Sequence, residues 1–151
     1  MNLPALLLPP MRAKVNHIES LMRQMPQVDM PVRNHFSLGV YGRELFIPAG
    51  TLLTGKIHKY QQLNALCKGE MSVLTEDGIR LVKSGFIVVS PPGTKRIAFA
   101  HTDCIWLTVH ATEKVDVAEI EQEFIAQSDA EYLEFCELAR LEGKTLMLEQ
   151  S

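Results

Sequence analysis

Four side chains near the middle of this chain are of types, and at spacings, that suit chemistry on a small molecule: Lys56, His58, Gln62 and Arg96. Lys56 and His58 stand two residues apart, and on one strand such residues point to the same face. Gly50 and Gly69 bracket the first three. Five residues separate Gly50 from Lys56, three separate His58 from Gln62, and six separate Gln62 from Gly69. A second punctuated stretch carries Gly85, Pro91, Gly93 and Arg96, and 15 residues lie between Gly69 and Gly85. Glycine permits tight turns with φ > 0, and the corner Pro91-Pro92-Gly93 sets where the Arg96 strand begins. A barrel made of these strands would bring all four side chains to one interior spot.

Two fixed cations at low dielectric are costly unless an anion or a carboxylate compensates them. A phosphate, carboxylate or nucleotide would do so, and Arg96 offers a planar fork to receive it. Gln62 and Asn64 can orient such a ligand by hydrogen bonds, and Tyr60 and His110 complete the candidate binding set. The two cations should lower the pKa of His58 and keep it neutral near pH 7, the candidate general acid or base. The competing reading is structural: Lys56 or Arg96 snorkels to the barrel mouth and pairs with Glu44, Glu70 or Glu76. Lysine and arginine are donor-only cations at neutral pH, so no metal or other cofactor is expected. The fallback metal ligands are His58 and His110. Whether His110 faces inward with Trp106 and Thr108, or outward while Leu107 and Val109 fill the core, is open at this level. Trp106 reads as core, His17 and His35 as surface residues, and His101 as a turn residue.

These side chains need a scaffold. Apolar residues at Val15, Ile18, Met22 and Met25 predict a helix over 11–25 that ends at Pro26; residues 27–34 read as a connector. From Gly39 to His110 the period shortens. Eight β-branched and apolar runs, 44–47, 51–58, 63–68, 71–75, 79–82, 86–90, 95–100 and 104–110, alternate with turn residues. Asp77-Gly78 between two of them is a hairpin signal. The helical pattern then returns. Asp116 with Glu119 and Ser128 with Glu131 are capping pairs, and a helix over 129–141 should stop at Gly143. Glu119, Glu121 and Glu123 read as a solvated helix face. The expected organisation is a single structural domain: an N-terminal arm and helix (1–38), a β-barrel (39–112) and a C-terminal helical extension (113–151).

The 151 residues suffice for one domain with its own core. At 46% hydrophobic, 22% charged and a net charge of −3, the composition is that of an ordinary globular protein. It supplies no argument for nucleic acid or membrane binding. Cys67, Cys104 and Cys136 form no CxxC or zinc spacing, which reads as reduced thiols in the cytoplasm; Cys67 is expected to be buried. The run Leu6-Leu7-Leu8 has neither the basic flank of a signal peptide nor the length of a membrane span. It reads as an arm that needs cover, and a homodimer is expected.

The two glycine-punctuated stretches, 50–69 and 85–96, resemble the paired motifs of the cupin superfamily. That resemblance implies a mostly β fold, a double-stranded β-helix or jelly-roll barrel flanked by an N-terminal helix and C-terminal helices. It also implies a site. Metal-binding cupins hold histidine, histidine, glutamate and histidine at positions that here carry Lys56, His58, Gln62 and Arg96, and the final asparagine position falls on Ala100. Segments 43–51, 55–59, 92–96 and 106–112 further resemble small cupins encoded by phages and prophages, which would place the chain in a host cytoplasm. Three functions remain in view: a metal-independent protein that binds a small anionic molecule; an isomerase, epimerase or lyase on a small anionic sugar or nucleotide substrate; and a structural or host-modulating protein with a vestigial pocket.

Overall fold

The computed structural model describes residues 11–75 and 77–146. The apolar arm Met1–Pro10 lies outside these, as does Glu76. Among the described residues no helix is long and apolar enough to cross a membrane.

Helix α1 (Arg12–Met22) buries Arg12 and Val15. The Arg12 guanidinium is spent on structure: it pairs with Asp129 and donates to the carbonyl of Gly93. Asn16 adds a 2.8 Å bond to Asp129, and Lys95 reaches both Asn16 and Glu19 at 2.9 Å. The helix is therefore tied by buried polar groups to the corner that precedes Arg96.

The strands follow as β1 (Val32–Ser37), β2 (Val40–Ile47), β3 (Leu52–Thr54), β4 (Ile57–His58), β5 (Gln62–Lys68), β6 (Glu70–Thr75), β7 (Gly78–Lys83), β8 (Ile87–Ser90), β9 (Ile97–Ala100) and β10 (Cys104–Ala111). After them come α2 (Val117–Phe124), β11 (Ile125–Ala126) and α3 (Asp129–Leu141). One sheet runs β1-β2-β10-β5-β8 and the other β3-β9-β6-β7, antiparallel throughout. With β1 and the short β4 set aside, the first, eighth, third and sixth strands face the second, seventh, fourth and fifth. This is the strand order of a jelly roll, a double-stranded β-helix.

Alternation decides which side chains enter the barrel. On β5 the buried positions are Gln62, Asn64 and Leu66; on β6 they are Met71 and Val73. The main core joins Ile47, Leu66, Met71, Val73, Val82, Ala98, Ala100 and Cys104 between the two sheets. A second cluster of Tyr41, Ile120 and Phe124 marks where α2 packs on one end of the barrel. Both C-terminal helices carry the expected caps: Asp116 accepts from the amide of Glu119 and Ser128 from that of Glu131, each at 3.1 Å.

Several expectations are corrected. The sheet begins at Val32, not Gly39: β1 pairs with β2 along its whole length across Ser37↔Val40. Its residues are all exposed, so no buried face imprints a period on the sequence. The run 51–58 is not one strand. It breaks at Gly55-Lys56, where the amide of Gly55 bonds the carbonyl of Arg96 at 2.7 Å, and β4 pairs instead with β11. Helix α1 stops at Met22, three residues short of Met25. Cys67 is exposed while Cys104 is buried, because Cys67 has the outward parity of β5.

Candidate functional site

The interior of the barrel holds a cavity of ≈ 120 Å³ beneath α2. Register places its wall. On the larger sheet Tyr41 pairs with His110, Arg43 with Thr108, Leu45 with Trp106 and Ile47 with Cys104. Asn64 continues the Thr108 row and Leu66 the Trp106 row; Gln62 pairs with Ser90. The inner face therefore grades along the barrel axis from polar and aromatic under α2 to apolar at the far end.

Arg96 enters from the other sheet. Its Nη2 donates to the Oγ of Ser90 at 2.6 Å, the Nδ2 of Asn64 donates to the same oxygen at 2.8 Å, and Thr108 Oγ1 donates to Asn64 Oδ1 at 2.9 Å. Ser90 and Asn64 are 0% and 1% exposed, so this chain of polar groups holds the guanidinium in place from below. The guanidinium carbon lies 5.9 Å from the Trp106 ring centre. The buried Nε has no hydrogen-bond partner among the described residues. Burial lowers the Arg96 pKa from its ordinary value. Among the described residues no carboxylate pairs with Arg96 or with Arg43.

His58 and His110 share the cavity, their rings stacked with centroids 5.8 Å apart. The stack continues from His110 to Phe124 at 4.6 Å and to Tyr41 at 6.1 Å. The His58 pKa is driven down to about 3, first by burial, then by His110, Arg43, Arg96 and Lys56. That of His110 falls to about 4, by burial and then by Arg43, with Glu123 opposing. Burial, ahead of His110 and the cations Arg43, Arg96 and Lys56, is the leading cause for His58. Both imidazoles are neutral at pH 7. His58 Nδ1 and Gln62 Oε1 are buried without a hydrogen-bond partner among the described residues.

The proposed residues are not all brought together. Lys56, His58, Gln62, Asn64, Arg96 and His110 line the cavity. The open choice for His110 resolves inward, because it shares the parity of Cys104 and Thr108, both buried. Lys56 does not share the inner face with His58: it sits in the break between β3 and β4, and its exposed ammonium meets Glu121 of α2 at 2.9 Å. That pairing at the mouth is the structural alternative with a different carboxylate, since Glu44 lies by His35 and Glu70 by Lys83. Glu121 is accordingly no bystander on a solvated face. Tyr60 leaves the site, packed edge-on against Phe124 at 5.7 Å and Phe135 at 5.1 Å outside the cavity. Trp106 forms cavity wall as well as core. His17, His35 and His101 are exposed.

Arg43 is the functional candidate that the sequence reading missed. It stands at alternate positions with Tyr41 and Leu45, a signal that was available. Gly42 interrupts that run, however, and the strand was expected to begin only at Glu44. A metal of the kind that the cupin resemblance implies does not fit these residues. Of the four corresponding positions only His58 keeps a ligand of the usual type; Gln62 offers a neutral amide oxygen in place of a carboxylate, Lys56 and Arg96 offer cations, and among the described residues no three His, Cys, Asp or Glu side chains are grouped to hold an ion.

No family model and no curated protein matches the sequence. Solved structures resemble the fold. A cupin domain from Bordetella pertussis aligns at 14% identity and a TM-score of 0.45, over 58% of this chain and 98% of its own. An RmlC-like cupin family protein from Methanocaldococcus jannaschii aligns at 19% and 0.45, over 56% and 82%. A double-stranded β-helix domain protein from Klebsiella pneumoniae aligns at 15% and 0.48, over 61% and 85%. All three lie below 20% identity and below a TM-score of 0.5, so the fold rests on the strand order of this chain and its function on its own cavity.

Proposed function

We propose that this barrel binds a small anionic molecule without a metal. The observation that carries the reading is the guanidinium of Arg96, which is held inside the barrel by Ser90 with its Nε unpartnered and no carboxylate beside it among the described residues. A partly buried cation without a counter-charge is a cost to the fold, and an anion in the cavity relieves it. Arg43 adds a second positive charge to the same wall, and the neutral imidazoles add none at pH 7. Among the described residues the only carboxylate lining the cavity, Glu121, is engaged by Lys56 at the mouth. The field therefore attracts anions and rejects cations.

Binding is favoured over catalysis by the same electrostatics. A general base works best with a pKa near the operating pH, and His58 at about 3 and His110 at about 4 are far below it. Tyr60, the other candidate proton-transfer group, faces away from the cavity. The test is calorimetric titration of carboxylates and phosphates into the full chain and into Arg96→Ala. Loss of a buried charged contact should weaken anion binding by roughly 2–4 kcal/mol, with Lys56→Ala costing much less. Anion binding that is equal in wild type and Arg96→Ala would refute the reading.

A further inference from the structure

The cavity is not uniformly polar, and its polarity has a direction. The cations and imidazoles lie in the rows nearest α2, and the far end is walled by Leu45, Ile47, Leu53, Met71, Val73 and Ala98. None of these side chains carries a hydrogen-bonding nitrogen or oxygen. A sugar seated there would leave hydroxyl groups buried without partners, each costing about 1–3 kcal/mol. Size is equally restrictive. A dry protein cavity of ~150 Å³ accommodates benzene, so ≈ 120 Å³ here admits a compact body of about that size or slightly smaller.

Resting on the anion-binding reading above, we infer that the ligand is a small amphiphilic monocarboxylate. Its head lies between Arg43 and Arg96 and its compact branched or aromatic tail points toward Ile47 and Met71. The planar carboxylate matches the fork of a guanidinium, whereas the apolar tail takes up the space between the two sheets. The stacked rings of Tyr41, His110, His58 and Phe124 flank the head end.

Calorimetry on the full chain distinguishes the possibilities, with benzoate, 4-methylpentanoate, acetate, inorganic phosphate and uncharged benzyl alcohol as probes. Benzoate or 4-methylpentanoate should bind about 100-fold more tightly than acetate or phosphate, because only they bury several carbons, and with a negative heat-capacity change. Ala98→Leu, which fills the tail end, should cost the larger acids at least ~10-fold and leave acetate unchanged. If that variant does not fold, nuclear Overhauser contacts from the benzoate ring to the Met71 methyl group in the wild-type protein serve instead, and their absence in a saturated complex overturns the inference. Acetate or phosphate binding as tightly as benzoate, with dependence on Arg96, overturns the tail and leaves the anion reading standing. Failure of all four anions overturns both, whether or not benzyl alcohol binds.

Discussion

His58 and His110 stack their imidazoles 5.8 Å apart with 20° between the ring planes, and both are neutral down to unusually low pH. They come from strands that do not pair with each other, β4 and β10, so the contact exists only because the barrel closes.

The pair makes the fold acid-sensitive. In the unfolded chain each imidazole protonates near pH 6.5, and in the folded barrel only near pH 3 to 4. Between those values the unfolded state binds more protons, so stability rises with pH in that window. What is fully present above pH 6.5 drains away as the pH falls toward 3. Each pH unit costs ~1.4 kcal/mol per imidazole. Urea midpoints measured from pH 7.5 to 4.5 should fall steeply below pH 6, and His110→Gln should flatten the slope. A midpoint independent of pH in that range would contradict the burial of both rings.

Arg96→Met should separate stability from binding. Replacing an uncompensated, partly buried charge by an apolar chain of similar length is often neutral or stabilising, and Ser90 keeps its bond from Asn64. Urea denaturation without added anion should show stability unchanged or raised by up to ~2 kcal/mol, while anion binding is lost. A loss of stability beyond ~2 kcal/mol would make Arg96 a structural tie.

Arg43→Met should weaken anion binding ~10-fold or more and raise the pKa of His110, since Arg43 is the first charge acting against protonation of that ring. Proton-detected titration of the imidazole resonances reads the second effect directly. An unmoved His110 would mean that the Arg43 guanidinium lies outside the cavity in solution.

Gly69→Ala and Gly85→Ala differ in consequence although both glycines have positive φ, 92° and 95°. A Cβ at Gly69 would lie 2.4 Å from the carbonyl oxygen of Asp103 and 2.7 Å from Cys104 Sγ, whereas at Gly85 it meets nothing within 4 Å. Gly85→Ala should cost only the left-handed backbone penalty of about 1–2 kcal/mol. Gly69→Ala adds a clash with backbone that cannot step aside and should cost ~3 kcal/mol or more. Thermal midpoints of the two variants settle the order.

Most of the barrel was legible in the sequence because buried strands write a period of two and turns demand particular residues. Asp77-Gly78 lies at the β6–β7 turn, with Thr75 pairing Gly78, and the glycines at 50, 69, 85 and 93 all take positive φ. Gln62, Asn64 and His58 could be nominated for one interior because local alternation and motif spacing carry that much. The two capped helices after residue 115 announced themselves through Asp116 and Ser128.

What the linear pattern does not contain is which charges meet. Lys56 and Arg96 are both cations beside an apolar run, yet Lys56 pairs with Glu121, 65 residues away, and Arg96 meets Ser90 inside. The break at Gly55 turns one outward, and the packing of α2 supplies its carboxylate. Arg43 becomes a site residue only when β2 lies against β10, and Tyr60 ceases to be one when α2 and α3 cover it. The sequence alone determined most of the strands and turns and the kinds of side chain available to the interior, because those follow from local periodicity and backbone preference; the exposed β1 and the break at Gly55-Lys56 did not follow from it. Tertiary structure alone decided which cations keep a counter-charge and which face an apolar-ended cavity, because electrostatic pairing and enclosed volume depend on contacts between segments that the chain order keeps far apart.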